Sequence, residues 1–189
     1  LIEATAKLAA MDGVWFQSIE RKYGMDEAME HDCAIWEKFT VIEAKRIKTF
    51  FKPAGTPGIE GLAGLKIALY ANINRDEIIT EGNTLIYRTT ECRVQHARSS
   101  KNMPLHPCKA VGIIEYSGFA KTIDSRFTCE CLSCYPDITD NTCHCAWKFT
   151  LKISFRCFFS AVFRKFIFRF SVSVVTVPPV FHGAVFFYW

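Results

Sequence analysis

The chain has 189 residues, half of them hydrophobic, and a formal net charge of +4; that length is one domain's worth and buries a sizeable core. Residues 1–152 hold equal numbers of acids and bases, and the whole excess comes from Arg156, Arg164, Lys165 and Arg169 beyond them. The body therefore carries no basic stripe, which excludes a nucleic-acid partner.

Residues 1–23 read as a helix, with Ile2, Leu8, Met11, Trp15, Phe16 and Ile19 at three-to-four spacings. Gly24 supplies a left-handed cap. Asp26 and Glu27 open a second helix that runs to about Phe51, where Lys52-Pro53 stops it. The loop PAGTPG leads into a third helix over 59–72. The period then changes to two, and 77–80 and 84–90 flank Glu81-Gly82-Asn83 as a hairpin. A short helix over 92–99, the loop KNMPLHPCK and a helix over 112–123 follow. Residues 126–134 and 143–153 read as strands around the turn-rich YPDITDNT. The sum is one α+β domain over 1–153, with N-terminal helices packed on a small antiparallel sheet of about four strands and further helices inserted.

From Ser154 onward the acids vanish, 10 of the 17 phenylalanines appear, and 170–189 contain no charged residue. Such a run is long enough to span a bilayer, yet Pro178-Pro179 interrupts it and Val, Phe and Thr favour strand. A membrane anchor, an added strand region and non-native sequence compete, and the abrupt loss of acids and of amphipathic period favours the last. A membrane partner is expected only if this tail is genuine. No secretory leader opens the sequence and the nine cysteines are an odd number, so a reducing cytoplasm is the expected compartment.

Between Glu91 and Trp147 lie Cys92, Cys108, Cys129, Cys131, Cys134, Cys143 and Cys145. Cys131-x2-Cys134 is a metal-type spacing, and Cys143-x-Cys145 returns on the next strand. There Cys134 would sit opposite the 143–145 pair, while Cys129 and Cys131 share a face. Converging thiolates would suit zinc or an iron–sulfur cluster; a disulfide or redox pair and inert packed thiols are the alternatives. His144 would point to the opposite face, and His96 and His106 carry still less signal.

Cys92 stands between Glu91 and Arg93, where a strand gives way to a helix. The helix dipole and the guanidinium both favour a thiolate there, which makes Cys92 a candidate nucleophile with Glu91 or His96 as proton acceptor. The plainer alternative is a buried helix-start residue, with Arg93 paired to Glu91 or Glu115. Glu43 and Arg46 place opposite charges one helical turn apart, and Asp12 sits in an apolar stretch beside Trp15. Together with Glu115 these are candidate substrate-binding residues between helices and sheet. No Gly-rich phosphate loop, GxSxG or HExxH is present.

Taken together, DGVWFQSIERKYGM, WEKFTVIEAKRI, LYANINRDEI, ECRVQHAR, PCKAVGIIEYSGFAKTID and CLSCYPD…CAWKFTL resemble an uncharacterised prokaryotic family over residues 1–152. That family is in turn distantly similar to the L-2-amino-thiazoline-4-carboxylic acid hydrolase-like proteins. Carried over, its cysteines fall on Cys92, Cys108, Cys131, Cys134 and Cys145, with Cys129 and Cys143 as departures. The resemblance thus implies Cys108, Cys131, Cys134 and Cys145 as a ligand set. It also implies a hydrolase-like protein acting on a small cyclic or amide-type C–N bond, with Cys92 as nucleophile or substrate-contacting thiol and Arg93 holding a carboxylate through its planar fork. The alternative is a non-catalytic zinc or iron–sulfur module, a sensor or partner protein. A small-molecule ligand is the expected partner.

Overall fold

The structure, a computed structural model, describes residues 2–51 and 58–152; the readings of 154–189 lie outside the described residues. Helix α1 (Ile2–Tyr23) is followed at once by α2 (Met25–Phe51). Gly24 makes the turn at a φ of 96°, in the left-handed region expected of it. A short α3 (Ile59–Leu62) and two 3-10 turns lead to the hairpin of β1 (Arg75–Glu81) and β2 (Thr84–Glu91). Then come α4 (Arg93–Ser99), α5 (Lys109–Ile123), β3 (Phe127–Cys134) and β4 (Cys145–Leu151). The fold is α+β, as expected: helices over a four-stranded antiparallel sheet of order β1-β2-β4-β3. No described helix is long and apolar enough to cross a membrane.

The third helix departs from the expectation. Only Ile59–Leu62 is α-helical, and Ala63–Ile67 and Tyr70–Asn72 tighten into 3-10 turns. Gly61 and Gly64 weaken a helix here. Gly64 also approaches α2 so closely that a Cβ would stand 2.8 Å from Ile47 Cγ2. Helix α5 begins at Lys109 rather than 112, so Cys108 occupies its N-cap position. Strand β4 begins at Cys145 rather than 143.

Strand β2 turns Leu85, Tyr87 and Thr89 inward with the two-residue period. Phe127, Trp147 and Phe149 join them in one buried set. Helix α5 covers this face with Phe119, Ala120 and Ile123. Helix α2 lies over α5 in turn, burying Thr40, Ala44 and Ile47 at helical spacing. The middle layer is tight on both sides: a Cβ at Gly112 would stand 2.5 Å from Trp147 Cζ2, and one at Gly118 2.6 Å from Thr40 Cγ2. Thr40 Oγ1 donates to the Glu115 carbonyl at 2.7 Å. At the far end Lys48 Nζ donates to the Ile123 carbonyl at 2.9 Å, a cation placed on the negative end of α5.

Gly112→Ala must displace the buried Trp147 ring and is expected to destabilise by about 1–3 kcal/mol in urea unfolding. Gly13 has nothing within 4 Å of its ideal Cβ, so Gly13→Ala should be neutral or stabilise by up to about 1 kcal/mol. Equal effects at the two sites would refute the close packing of α5 on β4.

Candidate functional site: a thiol- and carboxyl-lined cavity

Helix α1 contributes Ala6, Ala9, Ala10 and Gly13, at helical spacing, to the wall of a cavity. These side chains are too short to fill the space, and a volume of about 350 Å³ remains. Phe16, Trp36, Tyr70, Tyr116 and Trp147 supply aromatic surface around it. Of the residues singled out in the sequence, Asp12, Cys92, Arg93, Cys108, Glu115, Cys134 and Cys145 lie on this wall.

Glu43, Arg46, Glu91 and Cys131 do not line the cavity. Glu91 is exposed and pairs with Arg75 Nη1 at 2.8 Å. Arg46 is exposed on α2 and makes no ion pair with Glu43 among the described residues. Glu43 Oε1 instead accepts the Leu69 N–H at 2.6 Å, which pins the 3-10 segment to α2. Cys131 packs half-buried against the core, two register pairs from Cys134 along β3, opposite Trp147.

The thiols divide by environment. Cys92 is the N-cap residue of α4, as the sequence suggests, but its acidity runs the other way. Burial pushes the thiol up to about 11, and the nearby N–H groups of Gln95 and Val94 only partly offset this. Helix α4 has only seven residues and Arg93 is exposed, so desolvation outweighs the dipole and the guanidinium. Cys134 and Cys145 are direct cross-strand partners, as expected for a strand pair. They share a proton: the hydrogen bond between them raises Cys134 and lowers Cys145, making Cys145 the thiol that ionises. The Thr89 hydroxyl and Trp147 indole N–H also favour the Cys145 thiolate. Both lack a partner of good hydrogen-bond geometry, so they act as loosely aligned dipoles. Among the described residues no group of three His, Cys, Asp or Glu side chains is arranged to hold a metal ion.

The wall also carries a polar relay that the sequence reading does not identify. His106 Nε2 lies 3.1 Å from Asp32 Oδ2, and His106 Nδ1 lies 3.2 Å from Cys108 Sγ. Gln95 fixes the arrangement: Nε2 donates to the His106 carbonyl at 2.7 Å and to Cys108 Sγ at 3.2 Å, and Oε1 accepts the His106 N–H. One signal for Asp32 was available, since it falls four residues from both Ala28 and Trp36 on the buried stripe of α2. His106 sits in an aperiodic loop between prolines, where no pattern marks it.

The interior is rich in acids. Asp12 Oδ2 accepts the Tyr70 hydroxyl at 2.6 Å, and burial still raises its carboxyl above the ordinary range. Burial lifts Glu115 well above it, and Glu43, Cys145, Asp32 and Asp12 push the same way. Arg98 is buried, but Glu20 holds it in a two-pronged pair at 2.9 and 2.6 Å. Arg93 and Lys101 stand at the exposed edge.

Burial pushes Glu43 up to about 7, with the Leu69 N–H pulling weakly downward. The folded state therefore keeps this proton longer than the unfolded chain, so stability falls as pH rises from about 4.5 to about 7 and is flat above. Glu43→Gln, which keeps an acceptor for Leu69, is expected to raise Tm above pH 7 and leave it unchanged below about pH 4. A Tm difference that stays constant across that window in a thermal melt series would contradict the burial of this carboxyl.

The fold resembles, at 15% identity and a TM-score of 0.49, the phenol-responsive sensory domain of the transcription activator PoxR, crystallised with phenol. The match covers 78% of this chain and 74% of that one. No curated protein matches the chain. A relationship to the L-2-amino-thiazoline-4-carboxylic acid hydrolase-like proteins is not shown by these matches. A family model does match, over residues 1–151, and the chain belongs to the family it describes, the family of unknown function DUF6125.

Proposed function

We propose that the protein binds a small organic molecule in the cavity between α1, α2, α4, α5 and the sheet, with residues 1–153 as the functional unit. The cavity itself carries the reading. Its volume of about 350 Å³ falls in the range of small-molecule sites, and its wall combines aromatic faces with a few converging polar groups. In the enzymatic form of this reading, the ligand is a substrate with a cyclic or amide-type C–N bond, as the resemblance to hydrolase-like proteins implies. Arg93, free at the exposed edge, would hold a substrate carboxylate, and Cys92, kept protonated by its burial, would contact the substrate rather than attack it. A thermal-shift screen of small amides, cyclic amines and aromatic acids should find stabilising ligands, and Arg93→Ala should weaken the acidic ones about tenfold, a loss of about 1.4 kcal/mol. A screen in which no ligand shifts the wild-type Tm would sink the proposal.

A second reading rests on a separate observation, the cross-strand pairing of Cys134 with Cys145, with Cys131 further along the same strand. In a reducing cytoplasm these thiols, joined by Cys108 at the N-cap of α5, would be the ligands of zinc or an iron–sulfur cluster. Bound there, a metal would tie the start of α5 to the hairpin of β3 and β4. Metal analysis and a visible spectrum of anaerobically purified protein test this directly. With metal present, Cys108→Ala and Cys134→Ala are expected to lose it and much of the folding energy linked to it, while Cys129→Ala and Cys143→Ala retain it. The reverse pattern would move the site to other cysteines.

A further inference from the structure

The charge of the cavity's ligand follows from what the wall lacks. Three elements each place a carboxyl on it: Asp12 from α1, Asp32 from α2 and Glu115 from α5. Asp12 has Tyr70 and Asp32 has His106. The Glu115 side chain has no hydrogen-bond or ion-pair partner among the described residues. It is half-buried and lines the cavity. The strongest electrostatic influences on it are acids or weaker acids. They are Asp12 of α1, Glu43 and Asp32 of α2 and Cys145 of β4, with Tyr70, Cys108 and Tyr116 also close enough to feel its charge. The basic groups of the same wall are engaged or peripheral: His106 sits against Asp32, and Arg93 and Lys101 stand at the exposed edge. The one buried guanidinium among the described residues, Arg98, is held by Glu20. Beside these acids stand two ring pairs, Trp36–Tyr70 with centroids 5.8 Å apart and Tyr116–Trp147 at 4.8 Å. Ring faces attract cations, most strongly where water is excluded.

We propose that the ligand is an organic cation, a small aromatic or alicyclic amine, whose ammonium group sits against the Glu115 carboxyl among these rings. The inference rests on the ligand-binding reading above and deepens it. The ammonium supplies the counter-charge that no described side chain provides, so Glu115 ionises on binding and its proton passes to solvent. An acidic group elsewhere on the ligand would still reach Arg93 at the edge.

Calorimetric titration of the full chain with three probes of one shape tests this: 2-phenylethylamine, 2-phenylethanol and phenylacetate. The amine is expected to bind at least about tenfold more tightly than the alcohol, a gap of about 1.4 kcal/mol, with phenylacetate weakest. Repeating the titrations in buffers of different ionisation enthalpy should show proton release for the amine alone. Glu115→Gln, which keeps shape and removes charge, should still bind the alcohol and bring the amine to within about twofold of it. Alcohol or phenylacetate binding the wild type as tightly as the amine overturns the inference and leaves the cavity reading standing. So does a Glu115→Gln variant that keeps the amine preference. If none of the three binds, this inference is overturned, and the wider thermal-shift screen decides the cavity reading. If the variant does not fold, the wild-type series decides alone.

Discussion

The close seat of α5 between Trp147 and Thr40 is the constraint on which the rest of the molecule depends. Gly112 and Gly118 permit it, and the pair fixes both the height of α5 above the sheet and its rotation about its own axis. Phe119, Ala120 and Ile123 then face the core, while Cys108 and Glu115 line the cavity. Seven residues separate these two, about 10 Å along the helix, so one rigid element presents a thiol near one side of the cavity and a carboxyl deeper within. Tyr116, the next residue, stacks its ring on Trp147 at 4.8 Å and joins the helix to the strand that carries Cys145.

Burial sets the chemistry of this interior more than any charge pair does. Asp12, Glu115, Cys92 and Cys108 are all driven toward their neutral forms by loss of water. Cys145 is the exception, because the Cys134 thiol, helped by the nearby Thr89 and Trp147 dipoles, outweighs the same loss. An interior of this kind holds its polar groups protonated at rest and ready to give protons up when a partner of opposite charge or a soft metal arrives. The organic-ligand and metal readings share that physical origin.

Much of the fold was legible because periodicity reports burial. The long helices, the hairpin about Gly82 and the pairing of Cys134 with Cys145 follow from apolar spacing and strand alternation alone. What the pattern could not show was contact at close range: a Cβ at Gly64 would stand 2.8 Å from Ile47 Cγ2 of α2, so packing adds to the weak helix propensity of Gly61 and Gly64. The site was legible in its residue types and less so in its electrostatics. Sequence placed Cys92 at a helix start correctly but gave the dipole more weight than burial, since depth in a cavity is invisible along the chain. The Glu43 and Arg46 spacing suggested a pair, yet the open N–H of Leu69 claimed Glu43 first. His106 and Asp32, 74 residues apart, meet only in the folded molecule.

Helix α1 reverses the usual division of a surface helix. Its large apolar side chains Leu8, Met11 and Trp15 are exposed, and its cavity wall carries Ala6, Ala9, Ala10 and Gly13, with the exposed Val14 also on it. What fastens that side are two polar clasps, Asp12 to Tyr70 and Glu20 to Arg98, about 12 Å apart along the helix. Phe16, between them, is the large apolar group that α1 buries deeply. Separating α1 from the rest of the unit would therefore break these two clasps and expose Phe16, and the buried Arg98–Glu20 pair makes that loss a substantial one. The position of α1 over the cavity thus depends on the geometry of two polar clasps and one ring more than on apolar area.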